Sequence, residues 1–170
     1  MLNEKVVKLL NSQINKEFYS AYLYLDMANY YAKEGLSGFE NWFVIQAQEE
    51  RDHAMLFRQY LLNNGHEVKF EAIADPSKEY KGYKEPLEAA LAHEQYVTDS
   101  INKIYDAAME VKDYRTRQFL DWFVKEQGEE EMNAEDNIRK FVLAGDGKGL
   151  FLLDQHFQAR TYAAPSLVLD

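Results

Sequence analysis

Glu50 and His53 form a Glu-x-x-His in the middle of a helical stretch, Asn41 to Leu62, with Phe43, Ile45 and Phe57 around them. At about 100° per residue an i, i+3 pair lies on one helix face, one turn apart, so the two side chains can grip one ion. Other helical stretches also carry carboxylates among apolar neighbours: Glu17 between Ile14 and Tyr24, Glu94 between Leu91 and Ile101, and Glu130 with Gln127 between Phe123 and Ile138. A buried carboxylate without a partner is costly. A chain that aims one inward from several helices must fold so that they converge on a metal, on protons or on each other.

The breakers between these stretches predict an all-α chain of four long helices and a short fifth. The first runs from about Asn3 to Glu34, closed by Gly35, with Val6, Leu9, Leu10, Ile14, Phe18, Tyr22 and Leu25 mostly at three- and four-residue steps. The second opens at Ser37-x-x-Glu40, which has capping-box spacing, and stops near Asn64-Gly65. His66 to Glu85, with Pro76, Ser77 and Gly82, is too long for a tight turn. A linker of this length predicts a bundle with one long crossover, in which the second and third helices run parallel.

Pro86 suits the first turn of the third helix, which is expected to reach about Lys112. Asp113 can cap the fourth, which extends to about Ala144. Gly145-Asp146-Gly147 breaks the chain before a short apolar helix, Leu150 to Ala159, and a tail from Tyr162 to Asp170. Residues 1–145 are expected to form the four-helix unit, with 146–170 as the fifth helix and tail of the same domain. A four-helix bundle is complete without a fifth helix. Leu150, Phe151, Leu153 and Phe157 must therefore cap the bundle's end or meet other subunits.

At 170 residues the chain suits one domain with a full-sized core. Its 19 basic and 29 acidic residues give a net charge of −10, which argues against nucleic acid as a partner. Acidity fits cation handling, although solubility alone is the commoner reason for it. The absence of cysteine removes disulfides, thiolate metal sites and thiol nucleophiles. The N-terminus, Met1 to Lys5, lacks the apolar core of a signal peptide, and no apolar run is long enough to span a membrane. A cytoplasmic location without membrane attachment is the expectation.

A lone Glu-x-x-His on a helix is usually a solvated face. Four helices that each place an acid near their midpoint are a different matter, because midpoints share roughly one level in a packed bundle. A layer of carboxylates with one imidazole suits iron or manganese. A carboxylate can bridge two metals, and Glu50 is placed for that because His53 completes its own side. Tyr24, two turns along from Glu17, can hydrogen-bond a ligand or supply an electron. Glu129, Glu130 and Glu131 are consecutive and cannot all point inward, so Glu131 is expected in solvent. Gly128 costs about 1 kcal/mol against alanine within a helix, which leaves close packing, a local irregularity or drift as its reason. His93 sits about 100° round the helix from Glu94 and is expected at the surface or an interface. His66 and His156 lie outside the mid-bundle set.

With these residues the chain closely resembles the ferritins, and among them the bacterial non-haem ferritins. The resemblance covers nearly the whole chain. It rests on Glu17 with Tyr24 seven residues on, the Gln-Ala-Gln-Glu-Glu-Arg-Asp-His run from Gln46 to His53, Glu94, Glu126-Gln127 through Glu130, the long crossover and the short fifth helix. It implies a ferroxidase: a homo-oligomeric, 24-subunit hollow shell that oxidises Fe(II) with O2 or H2O2 and stores Fe(III) oxyhydroxide mineral inside.

Carried over by position, Glu17, Glu50 and His53 look like a first iron site. Glu50, Glu94 and Glu130 look like a second, with Glu50 bridging and Gln127 near the bound oxygen. Tyr24 matches the family's tyrosine beside the centre, and a third iron position would use Glu49, Glu126, Glu129 and Glu130. In that mechanism two Fe(II) bind and are oxidised, and the Fe(III) hydrolyses and moves inward.

Bacterioferritins differ by a second Glu-x-x-His on the fourth helix, where this chain has Gln127 and Glu130. Their haem-binding methionine falls near position 52, here Asp52, so haem is not expected. The cysteine-ligated iron of rubrerythrins is excluded by composition. Acids near the turn between the third and fourth helices, Glu110 and Asp113, match a channel by analogy, although ordinary helix-end charge explains them more simply. Two other readings stay open: a discrete di-iron oxidase acting on an organic substrate without mineral storage, and a structural bundle that needs no metal.

Overall fold

The computed structural model describes residues 2–169. Five helices follow one another: α1 (Glu4–Lys33), α2 (Ser37–Asn63), α3 (Glu85–Glu110), α4 (Tyr114–Ala144) and α5 (Lys148–Gln158). No strand occurs among the described residues. Asn3 caps α1 by accepting from the Lys5 amide at 2.9 Å, and Asp113 caps α4 by accepting from the Thr116 amide at 3.0 Å. Two boundaries differ from expectation. α3 stops at Glu110 because Lys112 takes a left-handed φ of 56°. α5 starts at Lys148, right after Gly147 turns the chain with φ 63°.

The expected capping box of α2 is not formed. Ser37 is already inside the helix, and Leu36 at the cap offers no side-chain acceptor. The cap comes from a distant part of the chain: Asp154 of α5 accepts from the Gly38 and Phe39 amides at 2.8 and 3.1 Å. A carboxylate at a helix N-terminus satisfies orphan donors and meets the positive end of the helix dipole. Gly38 makes this close approach possible, since a Cβ there would lie 1.7 Å from the Asp154 carbonyl oxygen.

The linker climbs along α1 in the same direction as α1 itself. Lys69 donates its amide to Asn11 at 2.9 Å, Lys78 to Asp26 at 3.2 Å, and Tyr31 donates its hydroxyl to the Tyr83 carbonyl at 2.6 Å. α3 consequently starts beside the start of α2 and runs parallel to it. α1 and α3 are antiparallel, as the Lys5–Glu110 ion pair near one end and the Tyr24–Glu94 hydrogen bond near the middle require. The tightest pairs are the hairpins α1–α2 and α3–α4, with α5 laid on α2 and α4.

Two apolar clusters fill the bundle. One gathers Leu10, Ile14, Phe57, Ile101, Phe119 and Phe123, with Phe57 and Phe123 ring centroids 4.3 Å apart. The other gathers Met27, Tyr31, Phe39, Phe43, Leu87 and Phe157, with the Phe39 and Phe157 rings 4.7 Å apart. On every long helix a polar layer falls between the two clusters: Glu17 and Ser20, Glu50 and His53, Glu94, Gln127 and Glu130.

α5 caps the bundle with part of its apolar face, the first of the two alternatives expected of it. Leu153 and Phe157 bury against the bundle, whereas Phe151 and Leu152 remain 63 % and 57 % exposed. Tyr22 and Leu25, expected in the core by their spacing, instead line an apolar groove of about 650 Å³ with Phe18, Val44, Phe70 and Ile73. No helix among the described residues is long and apolar enough to cross a membrane.

Because α5 docks through Asp154, Asp154→Ala is expected to lower stability by about 1 kcal/mol, the usual value of a lost helix cap. Gly38→Ala is expected to cost more, because backbone rather than a flexible side chain blocks the new methyl group. Thermal melts of the two variants against the parent check both.

Candidate metal centre

The polar layer holds acids from every long helix, and their surroundings are apolar. Glu17, Glu50, His53, Glu94, Gln127 and Glu130 are all buried. One oxygen each of Glu17 and Glu50 and one ring nitrogen of His53 lie within 4.8 Å of one another. A second group of the same compactness joins His53, Glu126 and Glu130. His53 therefore stands between the two groups, with its Nδ1 at 3.6 Å from Glu50 Oε2. Its ring meets the edges of Trp122 and Phe123 at centroid separations of 5.6 and 5.8 Å, which hold the imidazole in place.

Glu94 is held slightly apart by its own donors. Tyr24 donates its hydroxyl to Glu94 Oε1, and Gln127 Nε2 donates to Oε2 at 3.1 Å. The layer also contains amides that sequence reading did not single out. Gln13 Nε2 donates to Glu17 Oε1 at 2.8 Å. Gln46 Nε2 donates to Glu130 Oε2 at 2.8 Å and to Glu50 Oε1 at 3.3 Å. Both glutamines stand four residues before a carboxylate of the layer, and that spacing was the available signal. Behind Gln13, Lys16 donates to Ser100 Oγ at 2.5 Å and Ser100 donates to Gln13 Oε1 at 2.7 Å, which orients the Gln13 amide toward Glu17.

The remaining oxygen of Glu17, Oε2, is buried without a hydrogen-bond partner. Burial pushes the carboxyl groups of Glu17, Glu50 and Glu130 well above the usual carboxylate range, and that of Glu94 above it, with their mutual repulsion adding to the first three. Burial likewise raises the Tyr24 hydroxyl well above its ordinary value, reinforced by the Glu94 and Glu50 charges, so this group is a proton donor to Glu94. Oxygen-rich donors with one imidazole, crowded together and only partly hydrogen-bonded, fit a divalent first-row cation such as iron or manganese.

Of the remaining candidates, Glu126 joins the His53 and Glu130 group. Glu49 and Glu129 do not. Glu49 is paired with Arg160 at 2.6 Å, and the exposed Glu129 with Lys125 at 3.2 Å. Asp52 lies at the edge, accepting from Arg51 at 3.2 Å and from the Tyr162 hydroxyl at 2.5 Å.

One expectation needs correction. Glu131 is half-buried rather than solvated, because α3 passes close enough for Thr98 Oγ1 to donate to it at 2.5 Å. His93, expected at the surface or an interface, is half-buried. α1 covers its face of α3, placing Ser20 Oγ 2.7 Å from its Nε2 and the rings of Tyr19 and Tyr24 at 5.8 and 5.9 Å. Burial, with a smaller push from Lys78, lowers its pKa to about 4. Gly128 is not a close packing contact: α4 continues through it, and a Cβ there would meet nothing within 4 Å.

Residues 7–144 match the ferritin-like domain model of the ferritin family. The chain belongs to the ferritin-like family. Its relatives include a probable bacterial non-heme ferritin-like protein of Haemophilus influenzae, 42 % identical over 156 residues, 91 % of this chain and 94 % of that one. The bacterial non-heme ferritin of Campylobacter jejuni is 39 % identical over 159 residues, 93 % of this chain and 95 % of the relative. Among solved structures, an Archaeoglobus fulgidus ferritin engineered to a closed form superposes with a TM-score of 0.94 at 41 % identity, covering 96 % of this chain and all of the other. The open-pore ferritin of the same archaeon gives 0.92 at 42 % identity, covering 95 % of this chain and all of the other. The carboxylate layer of this family member thus sits on a backbone shared with other ferritins.

The raised carboxyl pKa values set a pH dependence for the metal-free protein. Each folded value exceeds the unfolded one, so between the two the folded chain holds more protons and stability falls as pH rises. The thermal midpoint is expected to drop from about pH 5 to about pH 8, and added Zn(II) is expected to raise it most at the upper end, where a cation replaces the missing protons. Calorimetry at several pH values, with and without Zn(II), reads both; a flat profile in each series contradicts the uncompensated layer. Gly128→Ala is expected to raise stability by about 0.5–1 kcal/mol in the same assay, since a helical glycine is replaced in open space.

Proposed function

We propose that this chain stores iron. In this reading Fe(II) is the substrate of the carboxylate layer, where O2 or H2O2 oxidises it, and Fe(III) oxyhydroxide accumulates inside a hollow homo-oligomeric shell of the 24-subunit type. The observation that carries it is the compact buried group of Glu17, Glu50 and His53, whose ligand atoms lie within 4.8 Å of one another, with Glu17 Oε2 receiving no N–H donor. Family membership agrees with it, as does the likeness to two solved structures of Archaeoglobus fulgidus ferritin.

The roles are those the ferritin resemblance implies by position: Glu17, Glu50 and His53 for one iron, and Glu50, Glu94 and Glu130 for the other, with Glu50 shared. The first set forms one compact group, whereas the second compact group is His53, Glu126 and Glu130. Gln127 and Tyr24 each donate to Glu94, and the same two donors would serve an oxidant bound beside it. Two adjacent irons can give two electrons to the oxidant together, avoiding one-electron products. Tyr24, neutral and hydrogen-bonded, is positioned to release a proton or an electron. Glu126, with His53 and Glu130, supplies a further position, while Glu49 and Glu129, paired with Arg160 and Lys125, stand outside it. The apolar groove at Tyr22 and Leu25 and the exposed Phe151 and Leu152 give the surfaces on which copies of the chain assemble. The bundle and α5 act as one domain, in the cytoplasm and without haem.

Electron microscopy and light scattering after aerobic Fe(II) loading test this directly. A large hollow particle with a dense core and many irons per chain is expected. A particle of monomer or dimer size sinks the shell, and about two irons per chain with no mineral would favour a discrete di-iron oxidase. In stopped-flow oxidation, Glu50→Ala with His53→Ala is expected to remove the fast phase; an unchanged trace would mean that the layer is structural.

A further inference from the structure

Arg160 lies just beyond α5, outside every motif in the sequence, yet its side chain reaches the polar layer. Nη1 donates to the Trp42 carbonyl at 3.0 Å, Nη1 and Nη2 both donate to Gln46 Oε1 at 3.0 Å, and Nη2 donates to Glu49 Oε2 at 2.6 Å. The guanidinium also sits over the Trp42 ring, 4.3 Å from its centroid. Asn41 anchors the segment on α2, with Nδ2 donating to the carbonyls of Phe157, Gln158 and Arg160 at 3.3, 3.4 and 3.1 Å.

Two consequences follow from a group that only donates. A glutamine amide has one accepting end and one donating end, and neighbours decide which way it faces. With Gln46 Oε1 engaged by the guanidinium, its Nε2 faces Glu130 and Glu50. The second consequence concerns Glu49. Its side chain is only 17 % exposed, and its charge acts on both Glu50 and Glu130. It nevertheless stays outside the compact His53, Glu126 and Glu130 group, and its carboxylate is engaged by Arg160.

We propose that Arg160 is a positioning residue: its guanidinium takes the place of a cation at Glu49, keeps that carboxylate out of the metal-binding set, and fixes the Gln46 amide as a donor to Glu50 and Glu130. The proposal rests on reading the layer as a divalent-cation site. Without the guanidinium, Glu49 is a mostly buried charge beside other acids, and such a charge must recruit a counter-ion or a proton. A divalent cation bridging Glu49 to Glu126 and Glu130 is the replacement with the greatest gain.

Anaerobic Co(II) titration, followed by ligand-field absorbance and calorimetry, tests it without turnover. Arg160→Ala is expected to bind one more Co(II) per chain than the parent, or to hold its weakest Co(II) about tenfold tighter, roughly 1.4 kcal/mol. Arg160→Ala with Glu49→Gln is expected to return to the parent's count, and Arg160→Lys to keep it, since an ammonium still neutralises Glu49. Unchanged Co(II) binding in a folded, fully assembled Arg160→Ala protein overturns the proposal, as does an extra ion that persists after Glu49→Gln. If Arg160→Ala does not fold, Arg160→Gln is read by the same criteria. A parent that binds no Co(II) and oxidises no Fe(II) defeats the proposed function instead. The Arg160 role is then decided by a metal-free crystal structure of Arg160→Gln: displacement of the Glu49 carboxylate and the Gln46 amide supports it, and unmoved groups overturn it.

Discussion

A layer of buried carboxylates at mid-depth in the bundle is the constraint to which the rest of the structure answers. Burying an ion costs several kcal/mol even after relaxation, and Glu17, Glu50, Glu94 and Glu130 are placed together with one imidazole among them. The apolar clusters on either side offset that cost, and both must be large. The helices are correspondingly long, 26 to 31 residues, so that each crosses one cluster, the layer and the other cluster. Aromatic rings flank the layer: Phe43 packs on Tyr24, and Trp122 and Phe123 hold His53 in place.

The layer is kept in order by neutral amides rather than by basic side chains. Gln13, Gln46 and Gln127 each direct an N–H at a carboxylate, and each leaves that carboxylate a free oxygen or lone pair for another partner. An amide stabilises an acid without cancelling its charge, so a site built this way keeps its appetite for a cation. Formal cations sit one shell further out. Lys16 acts on Gln13 through Ser100, and Arg160 acts on Gln46 directly. Networks of this kind hold a geometry more firmly than their separate bonds would.

Much of the fold was legible because it depends on local signals. Helix periodicity, Asp113 as a cap, Pro86 in a first turn and a linker too long to be a turn each act over a few residues, and together they dictate a bundle with one crossover. The convergence of acids was legible for a related reason: residues near helix midpoints meet whenever the helices pack side by side. What escaped were features that need a partner from far along the chain. Ser37 and Glu40 have capping-box spacing, but Asp154 takes the N-terminus of α2 from more than a hundred residues away. Glu131 was expected in solvent, and it is the approach of α3 that half-buries it. Tyr22 and Leu25 continue the apolar stripe of α1, yet that stripe is wider than the bundle interior, and its edge opens onto a groove.

The sequence by itself determined the helices, the crossover, the depth of the acids and the family, because these are written in spacing and in residue type. Only the tertiary structure decided which acids are available to a cation. Glu49 and Glu50 are neighbours in the chain and chemically identical. They differ because α2 turns one toward His53 and Glu17, while the segment after α5 brings Arg160 to the other. Charge compensation acts through space, and no local pattern around Glu49 records it.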